Sequence, residues 1–285
     1  MLGLPIFTLA RYRGMGLSPG ALRRAGVIAS LGPSARDLGD VKLPPLNRDV
    51  DQGRIKNLDN FALASETIYK KTRTMDRDRS AVFLGGECSL IVGSLAGLCE
   101  VFEGRPGMLW MDSHGDFNTP ESSPSGYIGG MCLAMAVGRG QKLGAGVEPH
   151  RPLIDEGAVV HLGSRALDPE EERALLSSGL GLIPMTEVRK QGVGSVADRA
   201  SGRLSDRADW LVCHLDVDVV DPSLVPSVNY PAPGGLTVEE AVSVVQVLKR
   251  TGKLSVVDVT AYNPSFDPAG TCASSVVRLL RMIFG

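Results

Sequence analysis

The sequence has no C-x-x-C pair, and its five cysteines are an odd number. This pattern argues against the paired framework of a disulfide-stabilised secreted protein and is typical of reduced thiols. The N-terminal segment, MLGLPIFTLARYRG, also lacks the charged start and the sustained apolar run of a signal peptide. We therefore expect a cytoplasmic protein.

Long uncharged runs and an excess of charge of one sign are missing as well. The least charged stretch, residues 81–99, contains Glu87 and several glycines, which argues against a membrane span. A formal net charge of −2 gives no reason to expect nucleic acid or an anionic membrane as a partner. There is no internal repeat, low-complexity tract or long linker, so residues 1–285 are expected to form one domain.

Short apolar runs alternate with amphipathic stretches along the chain. The predicted buried strands are residues 25–31, 81–86, 107–112, 157–163, 210–220 and 253–260. The predicted helices are residues 57–72, 90–102, 168–178 and 237–249, with Thr237 as an N-cap and Pro169 at a first helical position. This order predicts an α/β fold, a three-layer α/β/α sandwich around a mainly parallel sheet. The long loop after Asp116, through residue 130, is predicted to be functional.

Acidic and imidazole side chains follow two of the predicted strands, in residues 112–118 and 214–222. If both segments are extended, the side chains on one face are Asp112, His114, Asp116, His214, Asp216 and Asp218. Ligands bind at the carboxyl ends of parallel strands. Clustered carboxylates repel one another unless cations neutralise them, and oxygen ligands with some imidazole suit Mn²⁺-like ions. One D-x-D motif would more often cap a loop, but two of them predict a metal centre.

Five segments resemble, in order, the signatures of the arginase-like (ureohydrolase) family. They are GGECS (85–89), DSHGDFNTP (112–120), HLDVDVVDPS (214–223), APGGLT (232–237) and DVTAYNP (258–264). The resemblance spans about residues 80–267. It implies one α/β/α domain around a parallel sheet and a hydrolase that cleaves carbon–nitrogen bonds in linear amidines.

The resemblance also implies a binuclear centre, with two Mn²⁺ ions in the family. Asp112 and Asp216 would bridge the ions, Asp116 and Cys88 would complete the shell of one ion, and His114 and Asp218 that of the other. A hydroxide bridging the ions would attack the guanidino carbon. Asp116 and His214 are the candidate catalytic residues.

The substrate implied by the resemblance is a small amino acid. Asn118, Ser123 and Ser125 correspond to the residues that bind its α-carboxylate, and Asp168 to the residue that binds its α-amino group. These side chains could instead satisfy turn backbone. The remaining histidines lie outside the motifs: His150 is predicted in a loop and His161 as a packed strand residue.

Three positions depart from the family signatures. Cys88 replaces a metal-binding histidine, and since a thiolate is a soft ligand, divalent metals other than Mn²⁺ are possible. Gly129 replaces the proton-shuttle histidine of arginases. His214 is a candidate replacement for this shuttle or, alternatively, a residue hydrogen-bonded beneath the metal cluster. Ala261 replaces the glutamate that holds the guanidinium.

Family members that hydrolyse N-omega-hydroxy-L-arginine in antibiotic biosynthesis have a similar pattern, with a cysteine ligand and no shuttle histidine. The expected reaction is therefore hydrolysis of N-omega-hydroxy-L-arginine to hydroxyurea and L-ornithine. An arginase, agmatinase or formiminoglutamase acting on an ordinary substrate is the first alternative. The second is an inactive relative that binds or regulates. A one-zinc deacetylase of the same fold is disfavoured by the full set of carboxylates.

The chain ends at residues 281–285, directly after a predicted final helix. Trimeric arginases commonly assemble through an extra tail beyond this point. A monomer is therefore expected over a trimer.

Overall fold

The computed structural model describes residues 1–8, 14–43, 45, 50–140 and 152–285. Its strands are β1 (Leu2–Leu4), β2 (Asp51–Gln52), β3 (Ile55–Lys56), β4 (Ala81–Gly85), β5 (Pro106–Met111), β6 (Val159–Leu162), β7 (Gly181–Ile183), β8 (Trp210–Asp216) and β9 (Leu254–Thr260). Seven of them form one all-parallel sheet in the order β1-β4-β9-β8-β5-β6-β7. β2 and β3 form a separate antiparallel pair.

Helices cover both faces of the sheet. They are α1 (Ser18–Arg24), α2 (Val27–Ser30), α3 (Leu58–Thr72), α4 (Leu90–Val101), α5 (Cys132–Ala136), α6 (Pro169–Leu176), α7 (Met185–Gln191), α8 (Val193–Arg207), α9 (Val238–Lys249) and α10 (Thr271–Phe284). Buried side chains of α3 to α6 belong to one apolar core, and those of α1, α2 and α7 to α10 belong to the other. The protein therefore has the α/β/α layers that the sequence predicts.

The two cores follow from the alternation of side chains along each strand. On β5, Met108 and Trp110 face the core of α3 to α6, whereas Leu109 and Met111 face the opposite core. β8 alternates in the same way, and all seven of its residues are buried. Burial on both faces explains why these strands read as continuous apolar runs.

Five of the six predicted strands are present, but the prediction for residues 25–31 is wrong. This segment contains the short helix α2, preceded by Gly26 in the left-handed region with φ of 90°. Only Val27 and Ser30 of α2 are buried, a spacing of three residues that suits a helix and not a strand. The predicted strand 210–220 also ends early, at Asp216, where a 3₁₀ turn (Val217–Val219) begins.

The four predicted helices are confirmed within a few residues, and so are their starts. Thr237 caps α9 with a capping box to Glu240, and Asp168 precedes Pro169 at the start of α6. The sequence analysis missed α7 and α8, although buried residues of α8 recur with helical spacing. The final helix, α10, reaches Phe284 and so includes most of the segment thought to follow it.

Four adjacent strands, β4, β9, β8 and β5, bring the signature segments to the same edge of the sheet. Four of the five signatures begin within the last three residues of these strands or directly after them. The parallel register places His214 of β8 beside both Trp110 of β5 and Asp258 of β9. None of the described helices is long and apolar enough to cross a membrane.

Candidate metal centre and active site

A pocket of about 520 Å³ opens at the carboxyl ends of these strands. Ten of the eleven predicted site residues line it: Cys88, Asp112, His114, Asp116, Asn118, Ser123, Ser125, Asp168, Asp216 and Asp218. The eleventh, His214, is fully buried and is not among the lining residues. The loop after Asp116, predicted to be functional, lines the pocket. His150 lies outside the described residues.

One group of possible ligands lies within loop 112–114 and the turn after β8. Ligand atoms of Asp112, His114 and Asp218 lie within 4.8 Å of one another. Nδ1 of His114 is 3.0 Å from Oδ2 of Asp218 and 3.5 Å from Oδ1 of Asp112. The backbone N–H of Ser113 donates to Asp218 at 3.0 Å, and Trp110 Nε1 donates to Asp112 at 3.1 Å. These bonds orient the two carboxylates toward one point.

A second group shares Asp112 with the first. Ligand atoms of Cys88, Asp112 and His214 also lie within 4.8 Å of one another. Sγ of Cys88 is 3.0 Å from Oδ2 of Asp216, so the predicted second bridging carboxylate borders this group. Two groups that share one carboxylate are the arrangement that two ions bridged by Asp112 require.

Asp116 reaches the pocket by a route that the sequence analysis did not predict. β5 ends at Met111, so residues 112–116 form a loop and not an extended strand. Asp116 has φ of 48°, a left-handed conformation that is uncommon for a residue other than glycine. Its carboxylate accepts a weak hydrogen bond from Sγ of Cys132, at 3.4 Å. The backbone turn therefore places Asp116 beside the other acids.

The charges of this cluster call for a cation. Burial, together with repulsion from neighbouring carboxylates, raises the pKa values of Asp112, Asp116 and Asp216. Burial by itself would lower the pKa of His114, but the charges of Asp218 and Asp112 raise it to about 12. Bound divalent ions would offset the free-energy cost of burying negative charge. The carboxylate, imidazole and thiolate donors fit such ions.

Comparison with known proteins identifies the family of this chain. The model of the arginase family matches residues 1–285. The chain belongs to the arginase family. The arginase of Bacillus caldovelox is 34% identical over 100% of this chain and 97% of its own length. The arginase of Bacillus subtilis (strain 168) is 30% identical over the same shares. The crystal structure of the Bacillus caldovelox arginase at pH 5.6 superposes with a TM-score of 0.92, covering 100% of this chain and 97% of that one.

This protein is therefore an arginase-family ureohydrolase, a hydrolase of carbon–nitrogen bonds in linear amidines. The named relatives are arginases, and they favour the arginase alternative over hydroxyarginine hydrolysis. The finer question of substrate depends on residues around the metal centre.

At one end of the pocket of this ureohydrolase, polar side chains are linked to one another. Nδ2 of Asn118 donates to Asp168 at 3.0 Å, and Oγ of Ser122 donates to Oδ1 of Asn118 at 2.8 Å. Ser123 and Ser125 accept hydrogen bonds from backbone N–H groups of their own turn. The serines therefore stabilise their turn, as the alternative reading expects, and they also line the pocket.

Glu171 is a pocket residue that the sequence analysis missed. It is the third residue of α6, and its carboxylate accepts hydrogen bonds from the backbone N–H groups of Phe117 (2.9 Å) and Asp168 (3.3 Å). It therefore joins the loop that carries Asn118 to the start of α6. The capping-box pattern beginning at Asp168 was the available signal.

Glu171 should make the stability of the metal-free enzyme depend on pH. Burial raises its pKa to about 7. Because the pKa in the folded state lies above that in the unfolded state, the protonated carboxyl of Glu171 favours folding. Its contribution to the free energy of unfolding is complete below about pH 4.5 and is lost as the pH rises through 7. As the pH is raised from 5 to 8, the free energy of unfolding of Glu171→Gln should therefore increase by about 2 kcal/mol relative to that of the wild type. Urea unfolding in chelator measures this difference. Glu170→Gln, at the exposed preceding residue, is the control, and an equal pH response in both variants would contradict the assignment.

The space for a side chain at Gly129 is filled by Tyr127. A Cβ atom at Gly129 would lie 2.5 Å from Cζ and 2.6 Å from the hydroxyl oxygen of Tyr127. The hydroxyl donates to the buried carboxyl of Glu87 at 2.7 Å, which holds the ring in place. Glu87 accepts further bonds from Ser89 and from the backbone of Thr8. Position 129, which corresponds to the shuttle histidine of arginases, thus has no side chain, and Tyr127 occupies the space that one would need.

Gly129→Ala should destabilise the protein by about 1–3 kcal/mol, because the ring of Tyr127 has to move and leave Glu87. Gly130→Ala is the matched control, since a Cβ atom there meets nothing within 4 Å. In a Tyr127→Ala background the cost at Gly129 should largely vanish. Equal unfolding free energies for Gly129→Ala and Gly130→Ala in the wild-type background would show that the ring does not restrict this position.

Ala261 lines the pocket directly after β9. It has φ of 64°, and its backbone N–H donates to Gly86 at 2.8 Å, which ties the ends of β9 and β4 together. Its methyl group offers no charge to a guanidinium. The nearby acid Glu87 is already engaged by its three hydrogen bonds.

His161, predicted to pack within a strand, is a buried residue of β6 whose Nε2 lies 2.7 Å from the carbonyl oxygen of His114. Burial lowers its pKa to about 4. A neutral His161 that donates to this carbonyl stabilises the loop bearing His114.

Proposed function

We propose that this ureohydrolase converts N-omega-hydroxy-L-arginine and water to hydroxyurea and L-ornithine. The observation that carries the proposal is Ala261, an apolar residue in the pocket wall where the family signature has a glutamate. N-hydroxylation makes a guanidine much less basic, so near neutral pH a large share of the group is uncharged. An uncharged group does not need the missing carboxylate, and the electron-withdrawing hydroxyl makes its central carbon more electrophilic than that of a neutral guanidine.

The lost shuttle position supports the same substrate. Gly129 has no proton-transferring side chain, and Tyr127 occupies its space. A hydroxyguanidine exchanges protons more readily than a guanidinium, so its hydrolysis depends less on a dedicated histidine. Arginine would also have to leave water as a full cation, which is costly without a charge partner.

The amino-acid end of the substrate would bind at the linked side chains of Asn118, Ser125 and Asp168. Asn118 is held between Asp168 and Ser122, so its amide is already oriented before the substrate arrives. Ser125 lies on the facing part of the same loop and lines the pocket. Such contacts require an α-carboxylate and an α-amino group, which makes agmatine a poor substrate.

The metal centre would be held by Asp112 and Asp216 as shared ligands, with Cys88, His114, Asp116 and Asp218 around them. Two divalent ions, in our proposal Mn²⁺, would supply an acidified water and positive charge for the tetrahedral intermediate. Asp112 and Asp218 are oriented by Trp110 and by the backbone of Ser113. Burial of the cluster keeps bulk water away from these charges.

Arginine hydrolysis is the second candidate, and a specific observation favours it. The full-length relatives at 34% and 30% identity are arginases. The carboxylates of the cluster could partly replace the missing glutamate by their proximity to the guanidinium.

The test is kcat/KM of the metal-reconstituted enzyme on hydroxyarginine, arginine and agmatine at one pH, with ornithine as the assayed product for the amino acids. We expect hydroxyarginine to exceed arginine clearly and agmatine to be poorest. Equal or higher efficiency on arginine would identify an ordinary arginase. No turnover of any compound by enzyme that holds two ions would support the inactive alternative.

A further inference from the structure

His214 belongs to the second group of possible ligands, although it does not line the pocket. The residue is on β8, its side chain is 0% exposed, and its ring stacks on Trp110 with centroids 3.7 Å apart and an angle of 17°. Neither ring nitrogen has an aligned hydrogen-bond partner. A buried imidazole nitrogen without a partner is rare, and a bound ion is one of its known explanations.

The position of the ring points to such an ion. One of its nitrogens lies within 4.8 Å of the ligand atoms of both Cys88 and Asp112, which are likewise within 4.8 Å of each other. These three side chains come from the ends of β4 and β5 and from the interior of β8. The separation leaves room for one ion between a thiolate, a carboxylate and an imidazole.

Asp258, on the adjacent strand β9, contacts the ring of His214. Its Oδ1 is 2.5 Å from Nδ1 of His214, and neither carboxylate oxygen of Asp258 has an aligned hydrogen-bond partner. The two residues are paired in the register of β8 and β9. Metal-binding histidines usually give their second nitrogen to a carboxylate, which sets the tautomer and the ring orientation. With Asp258 at Nδ1, the Nε2 atom remains for the ion.

We propose that His214 is a metal ligand and binds, through Nε2, the same ion as Cys88 and Asp112. The family signatures have histidine at position 88 and serine at position 214, whereas this chain has cysteine and histidine there. In the family signatures the imidazole of this metal site comes from the loop after β4, whereas in this chain it comes from β8. The proposal rests on the binuclear centre of the proposed function and not on the identity of the substrate.

The coordinated histidines can be counted in the Co²⁺-loaded enzyme by proton NMR. Each imidazole bound to Co²⁺ shows one strongly shifted N–H signal that disappears in D₂O. We expect two such signals, from His114 and His214, and one after His214→Ser. Cys213→Ser is the matched control, because Cys213 is the equally buried neighbour of His214 on β8 and its side chain faces the opposite core. It should leave both signals in place.

Metal affinity gives the second measurement. His214→Ser should weaken one of the two Co²⁺ sites at least tenfold. In the double variant Cys88→His/His214→Ser the affinity should recover, because an imidazole returns to position 88. A structural role of His214 alone would lower stability in both backgrounds without this recovery.

A single shifted signal in the wild-type enzyme holding two ions would overturn the proposal and leave the proposed function intact. This spectrum needs no variant, so it decides the matter even if His214→Ser does not fold. Unchanged affinity for both ions in a folded His214→Ser variant would also overturn it. A wild-type enzyme that binds no Co²⁺ or Mn²⁺ would contradict the proposed function itself.

Discussion

Asp218→Asn should reduce kcat by about 1,000-fold and remove one of two bound ions. The substitution keeps the size of the side chain and can still accept the hydrogen bond from Ser113, but it removes the charge that faces His114. Metal ions contribute several kcal/mol to transition-state stabilisation, and each 1.36 kcal/mol corresponds to a factor of about ten in rate. Losing one of the two ions should therefore be among the largest effects of any single substitution in this enzyme.

Metal analysis and turnover should be measured on the same preparation. Asp209→Asn is a suitable control, because Asp209 directly precedes β8 whereas Asp218 lies two residues beyond its carboxyl end. Asp209 is exposed and bonds to Arg105, far from the pocket. The control should retain two ions and full turnover. If Asp218→Asn keeps both ions and works within tenfold of wild type, Asp218 is not a ligand.

Ala261→Glu should raise kcat/KM for arginine by about 100-fold and have a much smaller effect on hydroxyarginine. Coupling energies of close charge pairs at desolvated sites are roughly 1.5–7 kcal/mol, and about 2.7 kcal/mol gives this factor. The backbone should tolerate the change, because Ala261 already has φ of 64° and the strain is present in the wild type. Selectivity would then shift toward arginine.

Ala261→Gln separates charge from shape in this experiment. It has nearly the same size as the glutamate variant and should not raise the efficiency on arginine. The comparison requires kcat/KM of wild type and both variants on both substrates at one metal and pH condition. An equal gain in the Gln and Glu variants would show that charge at position 261 does not set the selectivity.

The local sequence determined the central strands and most of the side chains proposed to bind metal. A run such as residues 107–111 is apolar throughout because both faces of its strand are buried, and the acidic residues begin where the strand ends. The same rule located Asp216 at the end of β8 and Asp218 in the turn that follows it. Both features depend on the periodicity and burial of a few neighbouring residues, which composition and spacing record directly. The wrong prediction for residues 25–31 shows the limit of this rule, since a short apolar run also fits a helix that packs by one side.

The tertiary structure decided which of these side chains meet. The order β4-β9-β8-β5 brings Cys88, Asp258, His214 and Asp112 together from four strands or their ends. The ring of Tyr127 fills the place of a side chain at Gly129, and Glu171 of α6 binds the backbone of the loop at Phe117. No local pattern reports such contacts, because they depend on packing between segments that are far apart in the chain. The types of ligand are thus properties of the sequence, whereas their grouping around Asp112 is a property of the folded sheet.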